Sequence, residues 1–478
     1  MTDVRPGLDV PPDLLDLDPE ELRRLGHWVV DRTVEHLATL RERPADHRAV
    51  VRRPVGAAGR PAAARTGRPG GGLRLLADVA LEAQQHGDHP RYFARVPGPS
   101  SPVAILGEWL AVGMQAIASS WGGGSGTATL ELVVLDWLRD ALGLAPSAEG
   151  ILLTGGSLAN TTALLVARAE SPPGVLYLSD QTHSSIRRGA VVTGWPAADV
   201  RVLPTDASCR LAPSVLAAAV AEDVAAGRRP ACVVATVGTT NTGAVDDVVG
   251  LASVAREHGL WLHVDGAYGG PAALTADRGG LRGLELADSF VLDPHKWLFQ
   301  PYDLACLWVA RPGALHRTFA MHPEYLADAQ KGGPSGAGAD ADAGAGAREV
   351  DLHNRGLELT RHSRAAKLWL TLRTYGLDAL AAAVSRGVSL AEAAEGLVRE
   401  AGLEVVTPAS LGVLTFAVSG LDDGGHRALA ARVTADGYAA LSSTVVAGRP
   451  VLRLCTINPR TTVEDLAGTV AAVRRVAV

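Results

Sequence analysis

The sequence predicts an α/β fold built on a mostly parallel sheet, with a helical arm before it and a smaller α/β domain after it. Three observations predict this. Between about Pro102 and Leu307, short β-rich runs alternate with helical patterns. The runs ILLTGG, GVLYLSD, ACVVATVGTT, LWLHVDGA and DSFVLDPHKW are nearly continuous apolar stretches, as strands covered on both faces of a parallel sheet must be. Each run also ends in polar or small residues, which sets chemistry at the strand carboxyl ends, where ligands collect in such sheets.

Taken in order, Asp18 to Leu40 repeats apolar residues at helical spacing (Leu22, Leu25, Val29, Val30, Val34, Leu37), and Asp18, Glu20 and Glu21 suit a first helical turn. This is an amphipathic arm. Pro54 to Gly72 is rich in Gly, Pro, Ala and Arg without apolar periodicity and reads as a linker rather than a nucleic-acid tract. Ala327 to Ala347, ADAQKGGPSGAGADADAGAGA, has too little apolar surface to pack a core and reads as a mobile loop. Arg361 to Tyr375 looks helical, and the remainder alternates helices with strands such as GVLTFAV and PVLRLCT. The expected organisation is an arm and linker over 1–101, a large domain over 102–367 with a mobile loop at about 326–349, and a small domain over 368–478.

Bulk properties narrow the function. A chain of 478 residues that is 47% hydrophobic can bury a core for two or three domains. Its net charge of -6 comes from 45 basic and 51 acidic residues mixed along the chain, which points to neither nucleic acid nor an anionic membrane. The four cysteines, Cys209, Cys232, Cys306 and Cys455, show no CxxC spacing, so no zinc site or disulfide framework is expected and a reducing cytoplasm is the simplest home. The N-terminus lacks an export signal, and runs such as Ala231 to Val237 fall far below the roughly 20 residues that span a bilayer. A soluble protein is expected.

The strongest chemical signal is DSFVLDPHKW. It sets Lys296 at the end of an apolar strand, where a lysine can form a Schiff base with an aldehyde cofactor. His295 stands beside it among the expected cofactor contacts. Asp265 ends the run WLHVD. Pyridoxal phosphate needs such a carboxylate, because a protonated pyridine nitrogen makes the ring an electron sink. Ala267, two residues on, points to the same face and is small enough to lie under a flat ring. Gly155, Gly156 and Ser157 join a strand to a helix, whose N-terminal N–H groups favour a phosphate. His183, beyond YLSD, can stack on a ring and bond a substrate carboxylate. Thr239 and Thr240 offer hydroxyls near the ring substituents.

Lys296, Asp265, the Gly155–Ser157 loop and His183, in this order, resemble the group II pyridoxal-phosphate-dependent decarboxylases. That family includes the aromatic-L-amino-acid, glutamate and cysteine sulfinate enzymes. The resemblance runs from PEELRRLGHWVVDRTVEHL through HPRYFARV, ELVVLDWL, HVDGAYGG and PHKWL to VLRLCT. It implies fold type I and a pyridoxal 5'-phosphate cofactor. Lys296 looks like the Schiff-base lysine, Asp265 like the partner of the ring nitrogen and His183 like the residue stacked on the ring. Gly156 and Ser157 fall at the phosphate contacts, and Thr240 and Ala267 along the ring. Tyr325, in HPEYLAD, matches the loop tyrosine that protonates the carbanion. A phenylalanine there accompanies oxygen-consuming aldehyde formation in relatives, so tyrosine favours simple decarboxylation.

The family further implies a homodimer whose active site lies between subunits, with the N-terminal arm on the partner and Ile117 to Trp121 reaching the neighbouring site. Some positions depart from the pattern. Arg95, Val96 and Ser119 stand where relatives carry bulky aromatics, and Gly98 replaces a threonine that meets the substrate carboxylate. Arg95 can pair with an acidic substrate or sit exposed near a subunit boundary; both readings stay open. Asp293 replaces an asparagine next to the expected phosphate, and Ser289 is a further hydroxyl that could serve. The expected activity is α-decarboxylation of an L-amino acid, a small-molecule substrate, to its amine and CO2, aromatic first and acidic second. Aldehyde synthesis, transamination and a non-catalytic relative of the same fold are the alternatives.

Overall fold

A computed structural model describes residues 17–46, 69–81, 84–321, 349–421 and 423–477. Cα proximity separates residues 1–86 from residues 87–478. The first unit holds α1 (Pro19–Thr39), which starts at an Asp18 cap whose side chain accepts from Glu20 N. Leu25 is buried, while Leu22, Val30 and Val34 stay exposed. The last residues of the expected linker, Pro69 to Gly72, instead open helix α2 (Pro69–Leu75). Leu73 and Leu76 line one apolar groove with Leu22, Leu25 and Val29 of α1, and that contact outweighs the poor helix propensity of three glycines. Residues 54–68 lie outside the described residues, as do Tyr325 and all but the last residue of the expected 326–349 loop.

In the second unit the apolar runs become a seven-stranded sheet: β1 (Glu149–Leu153), β2 (Val175–Ser179), β3 (Val200–Leu203), β4 (Pro230–Thr236), β5 (Trp261–Asp265), β6 (Ser289–Leu292) and β7 (Ala305–Val309). Their order is β1-β7-β6-β5-β4-β2-β3, and β7 alone runs antiparallel to its neighbours. Alternation along each strand feeds two separate cores. Leu152, Tyr177, Val233, Ala235, Leu262 and Val264 face one core; Ile151, Leu153, Leu176, Leu178, Val234 and Trp261 face the other. Both faces are covered, which is why these strands read as continuous apolar runs.

Helices α3 (Pro102–Gly113), α4 (Trp121–Leu142), α5 (Gly156–Glu170), α6 (Ser184–Val192), α7 (Pro213–Ala225) and α8 (Val248–His258) accompany this sheet. α4 is tied to it by a fully buried ion pair. Glu131 Oε1 accepts from Arg361 Nη2 at 2.6 Å and from Leu152 N at 2.9 Å, while Arg361 also donates to the Ala118 and Leu152 carbonyls. Short helices α9 (Pro294–Trp297) and α10 (Ala314–Phe319) flank β7.

Helix α11 (Ala365–Glu400) begins four residues later than the pattern suggested, because Arg361 and Arg364 are held by Glu131 and by Glu358 and Asp303. The expected boundary at 367 falls inside α11, whose path breaks at Gly376 (φ 77°). Beyond it, β8 (Glu404–Ser410), β9 (Val413–Ala417), β10 (Ser442–Val446) and β11 (Arg449–Cys455) form an antiparallel sheet, order β10-β11-β9-β8. It shares a core with α12 (Asp423–Asp436) and α13 (Val463–Ala477). No described helix is long and apolar enough to cross a membrane.

Candidate active site

The sheet order sends the carboxyl ends of β1, β2, β4, β5 and β6 to one edge, and a cavity of about 400 Å³ opens there. From β1 the chain passes through Thr154 into Gly155 and Gly156, which begin α5; with Ser157 they line the cavity. The first N–H groups of a helix have no partner within it and carry the positive end of its dipole, so this corner can hold a phosphate. A Cβ on Gly156 would stand 2.8 Å from Asp293 Oδ2 and 3.2 Å from Ala267 Cβ, so only glycine fits there without displacement.

Beyond β2, His183 caps α6. Its Nδ1 lies 2.8 Å from Ser185 Oγ and accepts from Ser185 N at 3.3 Å. Partial desolvation holds the His183 pKa below the ordinary histidine value against the pull of Asp265. The imidazole is therefore neutral, with its proton on Nε2.

Thr236 at the end of β4 pairs in register with Asp265 at the end of β5, and both line the cavity with Gly238 and Thr240. Thr239 does not: its Oγ1 is 2.8 Å from Thr242 Oγ1 and accepts from Ala244 N. Asp265 Oδ2 accepts from Asn160 Nδ2 at 3.0 Å and Oδ1 from Ala267 N at 3.1 Å.

Lys296 lies four residues beyond β6, in the one-turn helix α9 rather than on a strand end. The turn folds its Nζ back to 2.8 Å from Asp293 Oδ2. Burial disfavours the ammonium, but the charge and hydrogen bond of Asp293, helped by Asp265, more than offset it; the Lys296 pKa sits above the ordinary lysine value. His295 donates from Nδ1 to the Leu304 carbonyl at 2.7 Å, and its Nε2 is 3.7 Å from Asp293 Oδ2. Burial, chiefly, lowers its pKa, so it too is neutral. Trp297 stacks on Tyr268 with ring centroids 5.3 Å apart and planes within 2°, and it packs against Gly387 and Gly412. That clamp fixes the backbone carrying Lys296.

Besides Thr239, four sequence candidates fall elsewhere. Ser289 does not line the cavity: its Oγ accepts from Trp261 Nε1 at 2.8 Å and lies 2.8 Å from His263 Nδ1. Arg95, Gly98 and Ser119 are also absent from the lining. Arg95 is exposed and its backbone carbonyl receives Arg453 Nη1. Gly98 is overlaid by Tyr302, whose Oη would collide with a Cβ there. Ser119 is buried, with its Oγ accepting from Arg361 N at 2.8 Å. Conversely Asn160, Ser185, Thr236 and Tyr268 line the cavity without having been singled out. Tyr268 follows Asp265 within the HVDGAY motif, whereas Asn160 carried only its place one helical turn after Gly156.

These residues fit pyridoxal phosphate. A carboxylate, a histidine, a primary amine and a helix N-terminus converge on one cavity. Thr236 Oγ1 and Asp293 Oδ1 are buried in its wall without hydrogen-bond partners among the described residues. Asp293 is the one anion beside the glycine corner, and its partner is Lys296.

Comparison with known proteins agrees. The family model for the pyridoxal-dependent decarboxylase conserved domain matches residues 76–419. The aromatic-L-amino-acid decarboxylase of Bacillus atrophaeus is 36% identical over 470 residues, covering 95% of this chain and 94% of that protein. Oryza sativa TDC with PLP and tryptamine superposes with a TM-score of 0.89 at 27% identity, covering 97% of this chain and 98% of that one. Rhodiola rosea 4-hydroxyphenylacetaldehyde synthase does so with a TM-score of 0.86 at 28% identity, covering 96% and 98%. The chain belongs to the pyridoxal-dependent decarboxylase family, of fold type I, with pyridoxal phosphate as its cofactor.

Proposed function

We propose that this enzyme decarboxylates an aromatic L-amino acid to its amine and CO2. The observation that carries the reading is the meeting of Lys296, Asp265, His183 and the Gly155–Ser157 corner in one cavity. The relatives named for aromatic substrates support the aromatic choice. An acidic substrate rests on Arg95, whose place outside the cavity lining counts against it.

Bound pyridoxal phosphate supplies the electron sink for the bond broken at Cα. The chain supplies the rest. Lys296 would hold the cofactor, and Asp265, which accepts from the neutral N–H groups of Asn160 and Ala267, would keep a proton on the ring nitrogen. Ala267 and His183, both in the cavity lining, would flank the ring. The His183 Nε2–H would donate to the substrate carboxylate and orient it for loss of CO2. Tyr325 delivers the proton to Cα. Ser157 and Thr240 complete the phosphate and ring contacts, with Gly155, Gly156 and His295.

We read the working form as a cytoplasmic homodimer with its sites between subunits. Exposed Leu22, Val30 and Val34 on α1, and Leu106 and Leu110 on α3, support a covering partner. Four buried free cysteines support a reducing compartment. Residues 102–367 would form the cofactor-binding domain and 368–478 the small domain.

A second reading, aldehyde synthesis, draws on the likeness to the Rhodiola rosea synthase. The test follows CO2, amine, aldehyde and peroxide from cofactor-loaded protein with a panel of L-amino acids, with and without oxygen, and with Lys296→Ala as control. Lysine-dependent CO2 with an equal amount of amine and no peroxide is expected. Aldehyde with peroxide, or a keto acid without CO2, would overturn the proposal.

A further inference from the structure

Strand alternation in WLHVD sets Trp261, His263 and Asp265 on one face of β5, and His263 pairs in register with Ser289 of β6. Asn160 comes over that face from α5. Its Nδ2 lies 3.0 Å from Asp265 Oδ2 and 3.0 Å from Ser185 Oγ, and its Oδ1 lies 3.1 Å from His263 Nε2. The side chains of Asn160, His263 and Ser289 are all buried.

Every proton in this cluster has one consistent place. Turning the amide over would set its oxygen 3.0 Å from a carboxylate, so Nδ2 faces Asp265. Oδ1 can only accept, so His263 carries its proton on Nε2. His263 Nδ1 then accepts from Ser289 Oγ–H, and the Ser289 oxygen accepts from Trp261 Nε1. On the other branch Ser185 Oγ accepts from Asn160 and passes its own proton to His183 Nδ1. Donation thus runs one way, from Trp261 through Ser289 and His263 to Asn160, and there divides toward Asp265 and toward His183.

We propose that Asn160 is a positioning residue that holds Asp265 as a pure acceptor for the cofactor's ring nitrogen and, by orienting the Ser185 hydroxyl, reinforces the His183 tautomer that the Ser185 backbone N–H sets. The inference rests on the cofactor placement given under the proposed function. It reaches further, because it makes one amide responsible both for the group at the ring nitrogen and for the group stacked on the ring. Without the amide donor Asp265 draws the ring-nitrogen proton toward itself, and the ring becomes a poorer electron sink.

The test uses full-length protein loaded with pyridoxal phosphate labelled with 15N in the ring. Asn160→Asp keeps the shape but faces Asp265 with a second carboxylate; Asn160→Ala removes the group. In both, the ring 15N signal moves toward the unprotonated position, and kcat falls roughly ten- to a hundredfold at pH 8 with KM changed little. Two facing carboxylates share a proton on acidification, which restores a donor. Asn160→Asp therefore regains activity as pH falls, and Asn160→Ala does not. Ser185→Ala cuts only the second branch, so it leaves the 15N signal in place and alters turnover. Parent-like 15N signals in both Asn160 variants, pH profiles parallel to the parent, or a shift in Ser185→Ala as large as in Asn160→Ala would each overturn the proposal. The nitrogen signal is read without turnover. A parent chain that binds cofactor but releases no CO2 would sink the proposed reaction while leaving this inference to its own readout.

Discussion

Replacing Asp293 by Asn tests how the lysine is kept until the cofactor arrives. In the cavity Lys296 Nζ stands 2.8 Å from Asp293 Oδ2, and that carboxylate is the main reason its pKa lies above the ordinary lysine value despite burial. Only the free amine attacks an aldehyde, so the pair slows cofactor attachment at neutral pH. A hydrogen bond to a charged group contributes about 1.5–3 kcal/mol, and about 1.4 kcal/mol is a factor of ten. Asp293→Asn should therefore free roughly ten to a hundred times more amine at pH 7 and speed attachment by that factor. The raised pKa sets the sign: the advantage is largest below the parent's lysine pKa and disappears above it, where both proteins hold a neutral amine. Stopped-flow absorbance after mixing cofactor-free protein with pyridoxal phosphate, from about pH 6 to about pH 11.5, past the ordinary lysine value, reads this directly. An Asn variant that attaches cofactor no faster at pH 7, or faster by the same factor at every pH, would refute the reasoning.

Other consequences follow from the same geometry. Gly156→Ala sets a Cβ 2.8 Å from Asp293 Oδ2, so the purified variant should retain the parent's circular dichroism but far less cofactor; full cofactor content would count against a phosphate corner there. Glu131→Ala strands the buried Arg361 cation and should cost about 3–5 kcal/mol, read as a lower urea midpoint, with an unchanged midpoint refuting it. Burial lowers the His263 pKa from 6.5 to about 4, so its contribution is present above pH 6.5 and is lost as pH falls toward 4, by roughly 3 kcal/mol. His263→Gln should flatten that acid loss in urea melts across the window. Asp246, pushed up by burial to about 6, runs the opposite way in both proteins and does not affect the comparison. Tyr325→Phe should divert product from amine toward aldehyde and peroxide, and an unchanged product ratio would exclude Tyr325 as the proton donor.

What could be read from the chain was whatever sits on a strand end. Gly155, His183, Thr240, Asp265 and Lys296 each follow an apolar run, and a parallel sheet delivers such ends to one edge whatever its detailed order. The strand order itself, and the lone antiparallel β7, depend on pairings between distant segments that no local pattern encodes. Asn160 escaped notice for a related reason. It lies inside a helix, where only the approach of α5 to β5 gives its amide a purpose. Ser289 was misread because a strand hydroxyl can face either side, and here its partners are His263 and Trp261. Position 98 could not be read alone, since Tyr302, distant in sequence, fills the space its missing side chain leaves.

The two buried carboxylates of the cavity show how partners, rather than residue type, divide the work. Asp265 receives an amide N–H from Asn160 and a backbone N–H from Ala267, both neutral, so its charge is left for a cation that the protein does not provide. Asp293 faces the Lys296 ammonium and has that cation already. His183 and His295 are both neutral, so the cavity wall brings one positive charge against two negative ones. A protonated ring nitrogen at Asp265 would supply a matching positive charge, with the phosphate at the N–H groups of α5, away from that carboxylate. A ring docked the other way round would set its phosphate against Asp265 and leave the ring nitrogen without a carboxylate to keep it protonated. The charge pattern thus favours a cofactor whose ring nitrogen faces Asp265 and whose phosphate faces the start of α5.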